Sequence, residues 1–375
     1  MRVAILSAFP AHVIPGFAAQ RPAGHYATWL PQLAEAFGAQ REIEFHWLFV
    51  SKHLRVPEPV VWHGQQFHCL HSPQRGRALR AFAPDCRAIR TRLDALRPDL
   101  VHAWGTEDCY GLAAMRSGRP FLLSMQGLLS HYVRISRMHW LVRLQAIYER
   151  AVLRKARWLT VESRWGEHIL REWAPTARIW RVEYGVQERF FQIAWQPDPA
   201  RPAAVFIGTP DERKGIRDAV RAFAEPQLAG AELLVVGDAG GPLVEELRRT
   251  ATPNVRWLGR LTPDETAAVL SRAWCLVLPT RADTSPNVVK EARVVGLPVV
   301  TTPCGGQSDY IEDGANGWLV APGDIPALAE RLARTMAGVE IARELGAHRH
   351  EEQRAWFRPE QTAEKFMSIY RELAG

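Results

Sequence analysis

Residues 195–240 read WQPDPARPAAVFIGTPDERKGIRDAVRAFAEPQLAGAELLVVGDAG, and they decide the fold. The first nine residues, 195–203, are proline-rich and polar, which is the composition of a linker. A short apolar run, AAVFIG, follows and ends in a turn, TPDERKG. An amphipathic segment, GIRDAVRAFAE, then leads to a second apolar run, AELLVVG. Strand, turn, helix and strand in that order describe a parallel βαβ unit. The same alternation continues downstream through VRWLG, PDETAAVLSRA, WCLVLPT, NVVKEARVV and LPVVTTP.

Upstream of residue 195 the alternation also runs, from RVAILSAF at Arg2–Phe9 through IEFHWLFV at Ile43–Val50 to a strand ending at His102–Gly105. ARWLTVES and ARIWRVEYGV are two further strands. The pattern predicts two doubly wound α/β domains in tandem. The first covers 1–194, a linker covers 195–203, the second covers 204–355, and a terminal helix at 356–375 packs back toward the first domain.

The chain has 375 residues, enough for about two domains of ordinary size. At 47% hydrophobic and 23% charged it is globular in composition. No apolar run reaches the roughly 18 residues of a membrane span. The opening MRVAILSAFPAHVIPG reads as a buried first strand rather than a signal peptide, so the expectation is a cytoplasmic protein. The five cysteines, Cys69, Cys86, Cys109, Cys275 and Cys304, are scattered and lack metal-ligand spacing. A net charge of +7 favours an anionic partner: a nucleotide, a phosphorylated substrate, an acidic membrane surface or nucleic acid. No nucleic-acid motif accompanies it. Of the fourteen tryptophans, most are expected in the core and some as sugar platforms or interface anchors.

Ligands of open α/β sheets bind beyond the carboxyl ends of the strands. No GxGxxG follows the first strand, which removes the main support for a dinucleotide enzyme. After AAVFIG, Gly208 permits close backbone approach, and Arg213 with Lys214 can neutralise a diphosphate. A solvated basic turn is an equally good account of that segment on its own. Asp283 and Glu291 stand eight residues apart. A helix over PNVVKEARVV places its N-terminus near Ser285, Pro286, Asn287 and Val288, where free N–H groups favour electron-rich oxygens. Glu291 lies one turn inside, with Asp283 on the loop ahead. Carboxylates accept well from vicinal hydroxyls, although two isolated acids are equally a helix cap and a loop end. Gly305 and Gly306 follow the next strand, and EDGANGWLV reads as a hairpin turn.

In order and spacing, GTPDERKG, VVGDAG, VRWLGRLTPDETAAVLSRAWCLVLPT and DTSPNVVKEARVVGLPVVTTPCGGQSDYIEDGANGWLV resemble the donor domain of family 4 retaining glycosyltransferases. PAGHYATWLPQLAEAF, VHAWGTEDCYGLAA, LLSMQG and VEYGV resemble that family's N-terminal half more weakly. The resemblance implies the GT-B fold, two Rossmann-like domains facing across a cleft. It implies transfer of a hexose from a UDP- or GDP-sugar to a glycan or lipid-linked acceptor, with no metal or other cofactor. The family's two-acid motif falls on Asp283, near the transferred sugar, and Glu291, on the ribose. Lys214 matches the diphosphate lysine, while Thr209 stands at the family's arginine position and Arg213 is the nearby substitute. Gly24 and His25 match the glycine pair of the first loop, and the family's N-domain histidine falls on Gln126. Glutamine hydrogen-bonds but is no base at neutral pH, which fits front-face attack with the leaving phosphate taking the acceptor proton.

The segment at 131–158 carries seven Lys or Arg against one acid, Glu149. It reads as a basic amphipathic helix suited to an anionic membrane or a lipid diphosphate, and equally as a solvated face. Two other readings stay open: a nucleotide-sugar epimerase of the same fold, and a silent sugar-nucleotide binding protein suggested by Asp283, Thr209 and Gln126.

Overall fold

Short runs rich in Val, Ile, Leu, Phe and Trp form the strands, and their burial on both faces is the mark of parallel sheets covered by helices. The computed structural model describes residues 1–17, 27–52, 58–72, 76–238 and 240–374. The chain divides into one unit of residues 1–185 with 359–375 and a second of residues 186–358.

The first unit holds β1 (Arg2–Leu6), β2 (Glu44–Ser51), β3 (Val60–Trp62), β4 (Gln65–His71), β5 (Leu100–Trp104), β6 (Phe121–Ser124), β7 (Trp158–Val161) and β8 (Arg178–Arg181). Their order is β3-β4-β2-β1-β5-β6-β7-β8. All pairs are parallel except β3–β4, a hairpin turned at His63 and Gly64 with φ of 46° and 71°. Two successive positive φ values give a turn whose twist matches the strands it joins. On one side of the sheet Phe9, Trp47 and Phe67 pack with ring centroids 5.0–5.7 Å apart.

The helix Pro359–Ala374 completes this core with Phe366, Met367 and Tyr370. Tyr370 Oη lies 2.6 Å from His102 Nδ1, and the indole N–H of Trp104 points at the same nitrogen. Nδ1 is therefore the acceptor, and Nε2–H donates to Ser124 Oγ at 2.7 Å. Burial holds this imidazole neutral, with its pKa lowered to about 3.

The second unit holds β9 (Ala203–Ile207), β10 (Glu232–Val236), β11 (Val255–Gly259), β12 (Cys275–Leu278), β13 (Val299–Thr301) and β14 (Gly317–Leu319). Their order, β11-β10-β9-β12-β13-β14, is that of a dinucleotide-type doubly wound sheet, and every pair is parallel. The chain therefore winds outward one way from β9, then restarts at β12 and winds the other way. The ends of β9 and β12 form the switch point.

Two expectations change. The division falls at residues 185 and 186, so the stretch at 195–203 is not a free linker. Gln196 N donates to Ser271 O at 2.8 Å, Trp195 Nε1 to Ala273 O at 2.8 Å, and Trp274 Nε1 to Asp198 O at 2.7 Å. Proline prevents regular structure there, but the remaining backbone and indole groups find partners on the second unit. The turns of EDGANGWLV are present, yet they do not make a hairpin. Asn316 Nδ2 donates to Tyr310 O and its Oδ1 accepts from Glu312 N, folding the turn back so that β14 joins β13 in parallel.

Candidate functional site

The switch point brings two loops together. The loop after β9 runs through Gly208 to Gly215, and the loop after β12 runs through Thr280 to Pro286. Arg213 O accepts from Arg281 N at 2.7 Å and from Thr280 Oγ1 at 2.9 Å, tying one loop to the other. Gly215 has φ of 79°, and a Cβ there would lie 2.0 Å from Pro279 O. No side chain fits between these loops.

This seam sets the position of Lys214, whose ammonium pairs with the carboxylate of Asp283. The two side chains are 16% and 12% exposed, so the pair is mostly shielded from water. Arg213 donates to Ala282 O at 2.8 Å and stands 3.9 Å from the same carboxylate. Gly208 lies beside the Lys214 stem. Gly208, Arg213 and Lys214 of one loop thus share one edge of the second sheet with Asp283, 69 residues beyond Lys214.

The helix Asn287–Val295 starts at that edge, with Pro286 at its N-cap. Ser285 Oγ is 2.9 Å from the hydroxyl of the buried Tyr310. Asn287 Oδ1 is buried with no partner among the described residues. Val288 is buried in the core, so only its backbone can serve a ligand. Glu291, one turn in, accepts no hydrogen bond among the described residues. Burial raises its pKa to about 7, with the Lys290 ammonium pulling the other way. A carboxyl group stored in that form lacks donors, and paired hydroxyls would supply them.

Gln126 lies in the first unit, just beyond β6, with its carbonyl oxygen near Gly105. Beside it is Glu107, which follows β5 and was not singled out from sequence. Its carboxylate accepts from Gly127 N at 2.6 Å and Thr106 N at 2.8 Å. Burial and the neighbouring Glu149 charge act to raise its pKa, to about 7. The signal was present in the sequence: an acid directly after a strand, at the ligand-facing end of the sheet. Gly24 and His25 lie outside the described residues. Among the described residues no three His, Cys, Asp or Glu side chains gather as metal ligands do.

Seven large apolar side chains are prominently exposed among the described residues. Four of them are Leu79 (62%), Ile135 (44%), Trp140 (55%) and Ile147 (58%). The predicted single helix at 131–158 is two helices, Leu129–Ile135 and Trp140–Leu153. Trp140, Arg143 and Ile147 fall on one exposed stripe, while Glu149 is buried and accepts from Ser130 N at 2.6 Å. Tyr148 Oη donates to Ala78 O, which brings Leu79 to the same region.

With two doubly wound sheets and a basic and acidic switch-point pair on the second, comparison with known proteins becomes specific. Residues 201–337 match the family described as Glycosyl transferases group 1. Over 341 residues the chain is 26% identical to the sulfoquinovosyl transferase SQD2 of Arabidopsis thaliana, covering 83% of this chain and 64% of that protein. It spans 48–64% of the length of the first three curated relatives. Among solved structures, sucrose-phosphate synthase from Thermosynechococcus elongatus superposes with a TM-score of 0.80 at 22% identity, covering 99% of this chain and 98% of that one. Anabaena Alr3699/HepE, solved in complex with UDP and glucose, gives 0.73 at 14% identity, covering 99% and 100%. The fold is GT-B, built of two Rossmann-like α/β domains. No helix of the described residues is long and apolar enough to cross a membrane.

Proposed function

We propose that the protein is a retaining glycosyltransferase that moves a hexose from a UDP- or GDP-sugar to a glycan or lipid-linked acceptor in polysaccharide or glycolipid assembly. The observation that carries this reading is the seating of Lys214 and Arg213 at the switch point of the second sheet, beside the N-terminus of the helix Asn287–Val295. A neighbour of the same fold solved with UDP and glucose supports the donor class.

Breaking a glycosyl–phosphate bond leaves positive charge on the anomeric carbon and negative charge on the departing diphosphate. Lys214, Arg213 and the helix N-terminus stabilise that leaving group, the role a metal would otherwise take. No metal is required in this reading. Glu291 accepts from the ribose hydroxyls, and the backbone at Pro286–Val288 faces the diphosphate and sugar. Gln126 hydrogen-bonds without serving as a base, so the leaving phosphate oxygen takes the acceptor proton at the face it departs from.

The exposed stripe of Trp140, Arg143 and Ile147, with Ile135 and Leu79 nearby, fits the anionic surface of a membrane. The enzyme would then work at the cytoplasmic face, next to a lipid-linked acceptor.

The test is a thermal-shift panel of UDP, GDP, ADP and their sugar conjugates on wild type and Glu291→Ala. A ligand at ~100 times its dissociation constant adds about 2.7 kcal/mol of stability. One nucleotide should stabilise the wild type and lose most of its effect in the variant. If no nucleotide shifts the wild type, the donor-site reading fails.

A further inference from the structure

The Lys214 ammonium already has an anion. Its partner, Asp283, is held by backbone on both sides: Asp283 N donates to Cys304 O at 3.2 Å, and Gly306 N donates to Asp283 O at 2.9 Å. Asp283 and Gly305 also form a parallel bridge. The backbone that carries the carboxylate is therefore fixed to the end of the sheet, so the side chain starts from one place beside the two cations. Both basic groups suited to a diphosphate, Lys214 and Arg213, lie against this one carboxylate.

A diphosphate that reaches Lys214 must share or displace that partner. Two anions drawn to one shielded cation compete strongly, because water does little to screen them there. We propose that Asp283 is a positioning residue. It is an internal counter-ion that holds Lys214 and Arg213 in place, yields them to the donor diphosphate, and reclaims them as the nucleoside diphosphate leaves. The short aspartate side chain is committed to the cations rather than to sugar hydroxyls. This inference rests on the donor-site reading above and assigns Asp283 a different role within it. Its consequence is kinetic: weakened product binding shortens a step that often limits turnover in enzymes that close around their substrates.

The experiment is titration calorimetry of UDP, GDP and their sugar conjugates, at fixed ionic strength, on wild type, Asp283→Asn and Asp283→Glu, with steady-state kinetics on the same proteins. Asp283→Asn should bind the nucleoside diphosphate about tenfold tighter, the scale of one charge contact in a shielded site. Its kcat and KM should fall together, as slow product release requires. Asp283→Glu keeps the charge and should bind within about twofold of wild type, so the proposal stays testable if the asparagine variant does not fold. Unchanged diphosphate affinity in Asp283→Asn, with loss only for the nucleotide sugar, overturns the proposal in favour of a direct sugar contact. Weakened binding of both overturns it in favour of a purely structural role. A wild type that binds neither UDP nor GDP instead removes the donor-site reading itself.

Discussion

Glu291 has no hydrogen-bond donor among the described residues, and burial raises its pKa to about 7. At neutral pH about half of such groups carry a proton. Ribose hydroxyls donate to a carboxylate and gain little from a carboxylic acid, so donor binding should favour the ionised form. Affinity for the nucleotide should therefore rise as pH passes from 6 toward 8 and level off above 7, with more proton release on binding at pH 6 than at pH 8. Calorimetry in two buffers of different ionisation enthalpy measures that release directly. Glu291→Gln should flatten the pH dependence, and an unchanged slope would remove Glu291 from the ribose. The spacing of Asp283 and Glu291 was legible in the sequence, because a helix over 287–295 follows from composition alone. The pairing of Asp283 with Lys214 was not. The two stand 69 residues apart, and only the strand order of the second sheet brings their loops together.

Periodic elements were the most readable part of the chain. Each βα alternation carries its own apolar pattern, and parallel pairing follows from the crossover helices. Hairpins were harder: β3 has only 3 residues, and its turn into β4 uses His-Gly, a weaker signal than Asn-Gly. The basic segment at 131–158 shows the same limit. Its charge was legible, but the inward turn of Glu149, which accepts from Leu129 N and Ser130 N at the start of the first helix, depends on packing. With that acid turned inward, the outer stripe presents Trp140, Arg143 and Ile147 with no opposing charge among them. Arg134 and Arg150 lie over the Trp173 ring at 4.4 and 4.7 Å, whereas Arg143 is exposed on the stripe itself, between Trp140 and Ile147. Sedimentation with vesicles should show binding to phosphatidylglycerol mixtures and none to pure phosphatidylcholine. The double variant Trp140→Ala, Ile147→Ala should lose most of it even at low salt, because the apolar residues anchor what the charges attract. Binding driven by charge alone would survive that variant and disappear in ~0.5 M salt.

The chain passes between its two units twice, at residues 185–186 and 358–359, so the first unit is built from both ends of the sequence. The terminal helix was recognisable from its composition. Its thermodynamic weight was not, because that depends on what it covers. Phe366, Met367, Ile369 and Tyr370 are all buried in the first unit's core, and Tyr370 donates to His102, which links onward to Ser124 on the neighbouring strand. Burying four such side chains contributes roughly 1.5–3 kcal/mol each. That sum is about as large as the whole stability of an ordinary domain, 5–15 kcal/mol. Truncation after Arg358 should therefore unfold the first unit rather than trim it. The second unit, residues 186–358, keeps its own core and its own Lys214–Asp283 site. Scanning calorimetry of the truncated chain should show the second unit's transition persisting while the first unit's is lost. Nucleotide should still raise the surviving transition if the donor site belongs to that unit alone. A truncated chain with both transitions intact would show that the helix is an accessory. Loss of both would show that the second unit depends on the first for its stability.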